Sequence, residues 1–186
     1  MTSESEPNIR FRRVLLVGFM GAGKSAVGEH LARQLGWRFR DFDQEVARRI
    51  GLPVHRIFED YGEEVFRIQE ERIAVELLGA DRAVLSSGGG WPCRRGRMEG
   101  LSQSTLSVWL RVSPEVAVER CRQSGAVRPL LEGDDPVAAA TALLEERRVF
   151  YEQADWSLDS TAGDPEFLAE RLARQIRTDP ERPIRE

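Results

Sequence analysis

Val14-Leu15-Leu16-Val17-Gly18-Phe19-Met20-Gly21-Ala22-Gly23-Lys24-Ser25 runs four large apolar residues straight into a glycine-rich turn that closes on a lysine and a hydroxyl. The apolar run reads as a strand buried on both faces of a parallel sheet. Gly18 to Ser25 fits G-x-x-x-x-G-K-[ST], in which glycines let the backbone wrap N–H donors around phosphate oxygens at the amino end of a helix. A helix is expected next, because Ala26, Val27, Leu31 and Leu35 recur on one helical face and Gly36 ends the pattern. Gly21, Ala22, Gly23, Lys24, Ser25 and Ala26 are therefore the expected phosphate contacts. Lys24 would bridge the β- and γ-phosphates, and Ser25 would set its hydroxyl on Mg²⁺.

Lys24 is also the only lysine among 27 basic residues, the other 26 being arginine. A chain that uses arginine everywhere else keeps one compact ammonium here, as a pocket requiring a point charge rather than a planar fork would demand. The base of the nucleotide is narrowed by elimination. Guanine readers use N-K-x-D, but the single lysine is already engaged and the single asparagine is Asn8, which leaves ATP. No H-R-D or D-F-G element of the protein kinases occurs.

The remaining composition sets the frame. With 186 residues, 41% hydrophobic and 31% charged, the chain suits one domain, expected over residues 10–177. The net charge is −4 with no basic block, which argues against nucleic acid or an anionic membrane as partner. No run approaches the length of a membrane span and the first ten residues do not form a signal peptide, so a cytoplasmic location is expected, with a monomer as the default. Cys93 and Cys121 lie far apart with no metal-type spacing and read as ordinary small residues. Residues 1–9 and 178–186 are charged or proline-bearing and are expected to be disordered.

Further strands are expected at Trp37–Phe42, Ala83–Ser87, Leu106–Val112 and Trp156–Asp159. They alternate with helices at 44–50, 54–78 (interrupted near Tyr61-Gly62), 114–123, 136–151 and 165–176. This alternation implies an α/β domain with a mostly parallel sheet covered on both faces. Residues 124–133 form a glycine-bounded segment of lid-like length, and a mobile lid is expected over about 122–134.

Polar residues outside the phosphate loop address the acceptor. Asp41-Phe42-Asp43 alternates at an expected strand end, putting both carboxylates on one side about 7 Å apart, one for Mg²⁺ and one for a hydroxyl, or leaving two solvated acids on an edge. Arg67, taken alone in an acid-rich helix, reads as a surface ion pair. Gly88-Gly89-Gly90 after a strand either makes a tight loop or lets something approach the main chain closely. Arg128, within Arg128-Pro129-Leu130-Leu131, sits where an arginine can swing over a transferring phosphoryl group. Arg147 is ambiguous beside Arg148. His30 and His55 lie away from these motifs and read as surface residues.

Together GFMGAGKS (18–25), DFD (41–43), IFEDYGEEVFR (57–67), SSGGG (86–90), VRPLL (127–131) and ERRVFY (146–151) resemble the shikimate kinases, from about Arg12 to about Ile176. The resemblance implies a three-layer P-loop kinase fold of the nucleoside-monophosphate-kinase type, with five parallel strands in the order 2-3-1-4-5. It also implies transfer of the γ-phosphate of ATP to the 3-hydroxyl of shikimate in aromatic amino acid synthesis. Carried over by position, it implies that Ser25 and, through water, Asp41 handle Mg²⁺, and that Asp43 orients or deprotonates the nucleophile. Arg67 and Arg147 would grip the carboxylate, Arg147 being preferred because it stands four residues before Tyr151. Gly88, Gly89 and Gly90 would present N–H groups to shikimate, and Arg128 would reach ATP phosphate. Adenine is expected between the Arg120 region and the Asp164-Pro165 loop. Lys24, Asp43 and Arg128 are thus the expected catalytic residues. The sequence departs from the pattern at Ala26, where a threonine is frequent, and at Gly163, where an adenine-contacting side chain can occur. A gluconate-type sugar-acid kinase is the alternative, disfavoured by the triglycine and Arg128-Pro129.

Overall fold

In the computed structural model, residues 10–124, 134–178 and 184 are described. The order of elements is β1 (Arg13–Val17), α1 (Lys24–Leu35), β2 (Arg38–Asp41), α2 (Phe42–Ile50), α3 (Val54–Leu77), β3 (Ala83–Ser86), β4 (Thr105–Arg111), α4 (Pro114–Gln123), α5 (Pro136–Tyr151), β5 (Trp156–Asp159) and α6 (Pro165–Thr178). The five strands form one sheet in the order β2-β3-β1-β4-β5, and every pairing is parallel. β1 is central, and Val14, Leu15, Leu16 and Val17 are wholly buried, as a strand covered on both faces requires.

The chain leaves β1 toward β2 at one edge and passes back over β1 between β3 and β4. Right-handed connections then put α1 and α6, which pack on each other, on one face, and the α2–α3 and α4–α5 pairs on the other. The register aligns Asp41 with Ser86 and Ser86 with Leu16, so the carboxyl ends of β2, β3 and β1 finish at one level. The phosphate loop, the first aspartate and the triglycine therefore emerge side by side at the sheet edge where open α/β sheets bind ligands.

Several expected boundaries move. β2 stops at Asp41, so Phe42 and Asp43 belong to α2, and the two aspartates do not alternate along a strand. The reason is local: the Asp41 side chain accepts the Gln44 N–H at 3.2 Å, and this N-cap ends the extended chain one residue early. α3 is broken at Gly62 (φ 81°, ψ 167°), where the sequence expected an interruption. α4 runs to Gln123 and α5 starts at Pro136, so Arg122, Gln123 and Ser124 of the expected lid belong to α4 and its cap. Arg128 and the rest of that segment, 125–133, lie outside the described residues, as do 1–9. At the far end α6 continues through Thr178. Ile184, expected in a disordered tail, is buried, and its carbonyl accepts the Ser157 N–H of β5 at 2.7 Å, which satisfies part of an otherwise open sheet edge. Among the described residues no helix is long and apolar enough to cross a membrane.

Candidate active site

The phosphate loop ends at Gly23, whose left-handed conformation (φ 83°, ψ 18°) starts α1 without a side-chain cap and without an acidic residue in the first turn. The first amides of α1 and the positive end of its dipole are thereby left for an anion. Lys24 Nζ donates to the carbonyls of Gly18 (2.9 Å) and Phe19 (3.0 Å), which holds the ammonium across the loop. Gly21 presses on α4: a Cβ there would lie 2.6 Å from the Ala117 carbonyl oxygen. From the same helix Arg120 donates to the Gly21 carbonyl (3.2 Å) and to the Ser160 hydroxyl and carbonyl (both 3.0 Å), so one guanidinium joins the loop, α4 and the end of β5. Pro165 opens α6 just beyond, where Asp164 caps the helix by accepting the Phe167 N–H at 2.8 Å. At Gly163 a Cβ would meet the half-exposed Phe167 ring, which would have to move aside. Ala26 is exposed on the first turn of α1.

Ser25 Oγ donates to Asp41 Oδ2 at 2.7 Å, while Asp41 Oδ1 caps α2. A hydroxyl and a buried carboxylate at the mouth of the loop form the hard-oxygen pair that suits Mg²⁺, an ion that keeps most of its ligands as water. Among the described residues there is no group of three His, Cys, Asp or Glu side chains that could form an all-protein metal cage.

The triglycine is the meeting point of the site. A Cβ on Gly88 would collide with Glu70 Oε1 and lie 2.6 Å from Asp43 Oδ1, and one on Gly90 would lie 2.8 Å from an Arg67 nitrogen. Close approach of the Glu70 and Asp43 carboxylates thus favours glycine at Gly88, whereas at Gly90 the neighbour is the movable end of Arg67 and at Gly89 nothing lies nearer than 3.6 Å. The space beside Gly89 is bounded at 3.6 Å by an Arg147 nitrogen, the Gly18 carbonyl oxygen and the Met20 amide nitrogen, so this turn touches the phosphate loop on one side and an arginine on the other. Arg147 thus separates from Arg148, which is about half exposed and pairs with Glu145 and Glu152. Trp91 follows the turn and packs edge-on against Phe42, between the two aspartates, with centroids 5.5 Å apart.

Arg67 is mostly buried and forms ion pairs with Glu70 (2.8 Å) and Glu63 (3.0 Å). Burial opposes its charge, but the two carboxylates outweigh this and raise its pKa above the ordinary value. Glu70 is 1% exposed, and one of its oxygens has no hydrogen-bond partner. Burial pushes its carboxyl above the usual range despite the pull of Arg67. The sequence reading missed Glu70, although R-x-x-E spacing on a helix was the signal available. His55 is exposed and His30 half-buried on α1.

The sequence profile described as shikimate kinase matches residues 20–177. The chain belongs to the shikimate kinase family. It is 42% identical over 174 residues to the shikimate kinase of Nitrobacter winogradskyi, covering 88% of this chain and 79% of that protein. The shikimate kinase of Moorella thermoacetica is 40% identical over 164 residues, covering 88% and 94%. Among solved structures, the Acinetobacter baumannii shikimate kinase in complex with shikimate superposes with a TM-score of 0.84 at 34% identity, covering 92% of this chain and 96% of that one. The family's P-loop fold and sheet order are those described above.

Glu70→Gln tests the buried carboxyl through pH. Its pKa in the folded state lies above 4.5, so stability is full below that value and is lost as pH rises through the raised pKa. Glutamine removes this dependence. The unfolding free energy of the wild type minus that of the variant should therefore grow as pH falls toward about 4.5 in urea titrations; a difference independent of pH contradicts the assignment.

Proposed function

We propose that this enzyme transfers the γ-phosphate of ATP to the 3-hydroxyl of shikimate, a step of aromatic amino acid (chorismate) biosynthesis. The observation that carries the reading is the triglycine turn, which touches the phosphate loop at Gly18 and Met20 and is flanked by Arg147 and Arg67. A small polyol carboxylate lying against that turn meets guanidinium groups at its acid end and the phosphate cradle at its alcohol end. The resemblance to a shikimate kinase crystallised with shikimate supports the same acceptor.

In this reading the amides of Gly21 to Ala26 and the ammonium of Lys24 bind the β- and γ-phosphates, and Arg120 and Pro165 border the adenine. Asp43, in the first turn of α2, accepts a hydrogen bond from the acceptor hydroxyl and directs its oxygen in line with the γ-phosphorus. Arg67 and Arg147 hold the carboxylate, and Gly88, Gly89 and Gly90 line the ring. Arg128 is assigned to ATP phosphate on its sequence context alone. Ser25 and, through water, Asp41 would hold Mg²⁺. When bound, the ion supplies positive charge to the terminal phosphates. Catalysis by the chain's own residues is then alignment together with charge stabilisation by Lys24. The enzyme is taken to act as a cytoplasmic monomer on two small molecules, without nucleic acid or membrane.

A coupled ADP-release assay with shikimate, gluconate and nucleoside monophosphates tests the acceptor. Turnover should be confined to shikimate, and equal turnover with either rival rejects the reading. Roles separate by substitution. Lys24→Ala should lower kcat by about 10²–10³-fold, whereas Arg67→Ala should raise the KM for shikimate by about 10–100-fold with a smaller change in kcat. The reverse pattern means that the two roles are misassigned.

A further inference from the structure

Tyr151 is the last residue of α5 and is wholly buried, although it carries a hydroxyl. Its ring stacks on Trp109 of β4 with centroids 6.0 Å apart. Phenylalanine would fill the same volume without the cost of desolvating a polar atom. What the hydroxyl adds is one bond: it donates to the Gly89 carbonyl at 2.6 Å, across 62 residues of chain. Burial raises the phenol far above its ordinary pKa, with Cys93 adding to the shift and Arg147 opposing it, so the group remains a proton donor at any pH near neutrality. Cys93 Sγ makes a second, longer contact to the same carbonyl at 3.5 Å.

The position of that bond matters because of the turn it holds. A Cβ at Gly88 would meet the Glu70 and Asp43 carboxylates, and one at Gly90 would displace the end of Arg67. Three successive glycines give the backbone more freedom than any other sequence, and the turn's own bonds, from the Trp91 N–H to the Gly88 carbonyl and from the Cys93 N–H to the Gly90 carbonyl (both 3.2 Å), leave the Gly89 carbonyl to be held from outside. The Tyr151 hydroxyl supplies that hold at the middle glycine. The Gly89–Gly90 peptide is trans, so its C=O and N–H point in opposite directions. Fixing the carbonyl on α5 fixes the Gly90 N–H facing away from α5. Neither the Gly89 nor the Gly90 N–H donates to a backbone carbonyl among the described residues. Arg147 lies one helical turn before Tyr151, on the same face of α5, with its guanidinium beside Gly89.

We infer that Tyr151 is a positioning residue for acceptor recognition: through one hydrogen bond it locks the Gly89–Gly90 peptide and the Arg147 face of α5 in a common register. The amide and the guanidinium that meet the acceptor are then set by the same contact. This rests on the reading of Arg147 and the triglycine as acceptor contacts, and the test separates the two.

Steady-state kinetics of Tyr151→Phe and Arg147→Ala, each with both substrates varied and with melting curves recorded, decide the matter. The phenylalanine variant keeps the ring stacked on Trp109 and leaves Gly89 its contact with Cys93, so it should fold. Its KM for shikimate should rise about three- to tenfold, the worth of one neutral hydrogen bond, with the KM for ATP within about twofold of wild type. Arg147→Ala should raise the shikimate KM further. If Tyr151→Phe leaves that KM unchanged while Arg147→Ala raises it, the inference fails and the site reading stands. A lower melting temperature with both KM values retained shows a merely structural tyrosine and equally overturns it. If Arg147→Ala also leaves the shikimate KM unchanged, the site reading falls and the inference with it.

Discussion

α1 begins at a left-handed glycine with neither a capping side chain nor an acid in its first turn; α3, which follows Pro53, also lacks both, whereas α2, α4 and α5 are capped by Asp41, Ser113 and Asp135. In those three helices a side-chain oxygen already occupies an amino-terminal donor. At α1 the donors, the dipole and the Lys24 ammonium converge on the same small volume, and only an anion completes the arrangement. Because β1 is the central strand, this anion site lies at the middle of the sheet edge. The neighbouring strand ends are then near enough for Asp41 and the triglycine to border it.

Across the cleft the proposed function calls for recognition of a carboxylate rather than a phosphate, and the supporting contacts differ accordingly. Arg67 is held on both sides by glutamates, one deeply buried and one exposed, so its guanidinium is oriented before any ligand arrives. A partly buried arginine flanked by carboxylates keeps its charge, which is what recognition of an acid requires. The space for this packing at Gly88 comes from the missing side chain, so that glycine records the bulk of Glu70 and Asp43.

Much of this was legible in advance, for local reasons. The apolar run from Val14 to Val17, the loop and the helical face that follows are contiguous in sequence, and the strand order came from resemblance to a family rather than from composition. The alternation of Asp41-Phe42-Asp43 suggests a strand end, but the structure puts Phe42 and Asp43 in α2. Asp41-Phe42-Asp43-Gln44 also fits a helix N-terminal signature, and the cap won. Arg67 looked like a surface ion pair because nothing local reveals that Glu70 is buried. The Tyr151–Gly89 bond and the docking of Ile184 on β5 join distant parts of the chain and leave no periodic trace in the sequence.

The proposed function divides the cleft between an amide cradle for phosphate and a guanidinium pair for carboxylate, with the triglycine between them. A crystal structure with ADP and shikimate bound together tests this directly. The β-phosphate should lie within hydrogen-bond distance of the amides of Gly23 to Ser25, with the shikimate carboxylate on Arg67 and Arg147 and its 3-hydroxyl beside Asp43. A carboxylate bound elsewhere, with both guanidinium groups turned to solvent, contradicts the account.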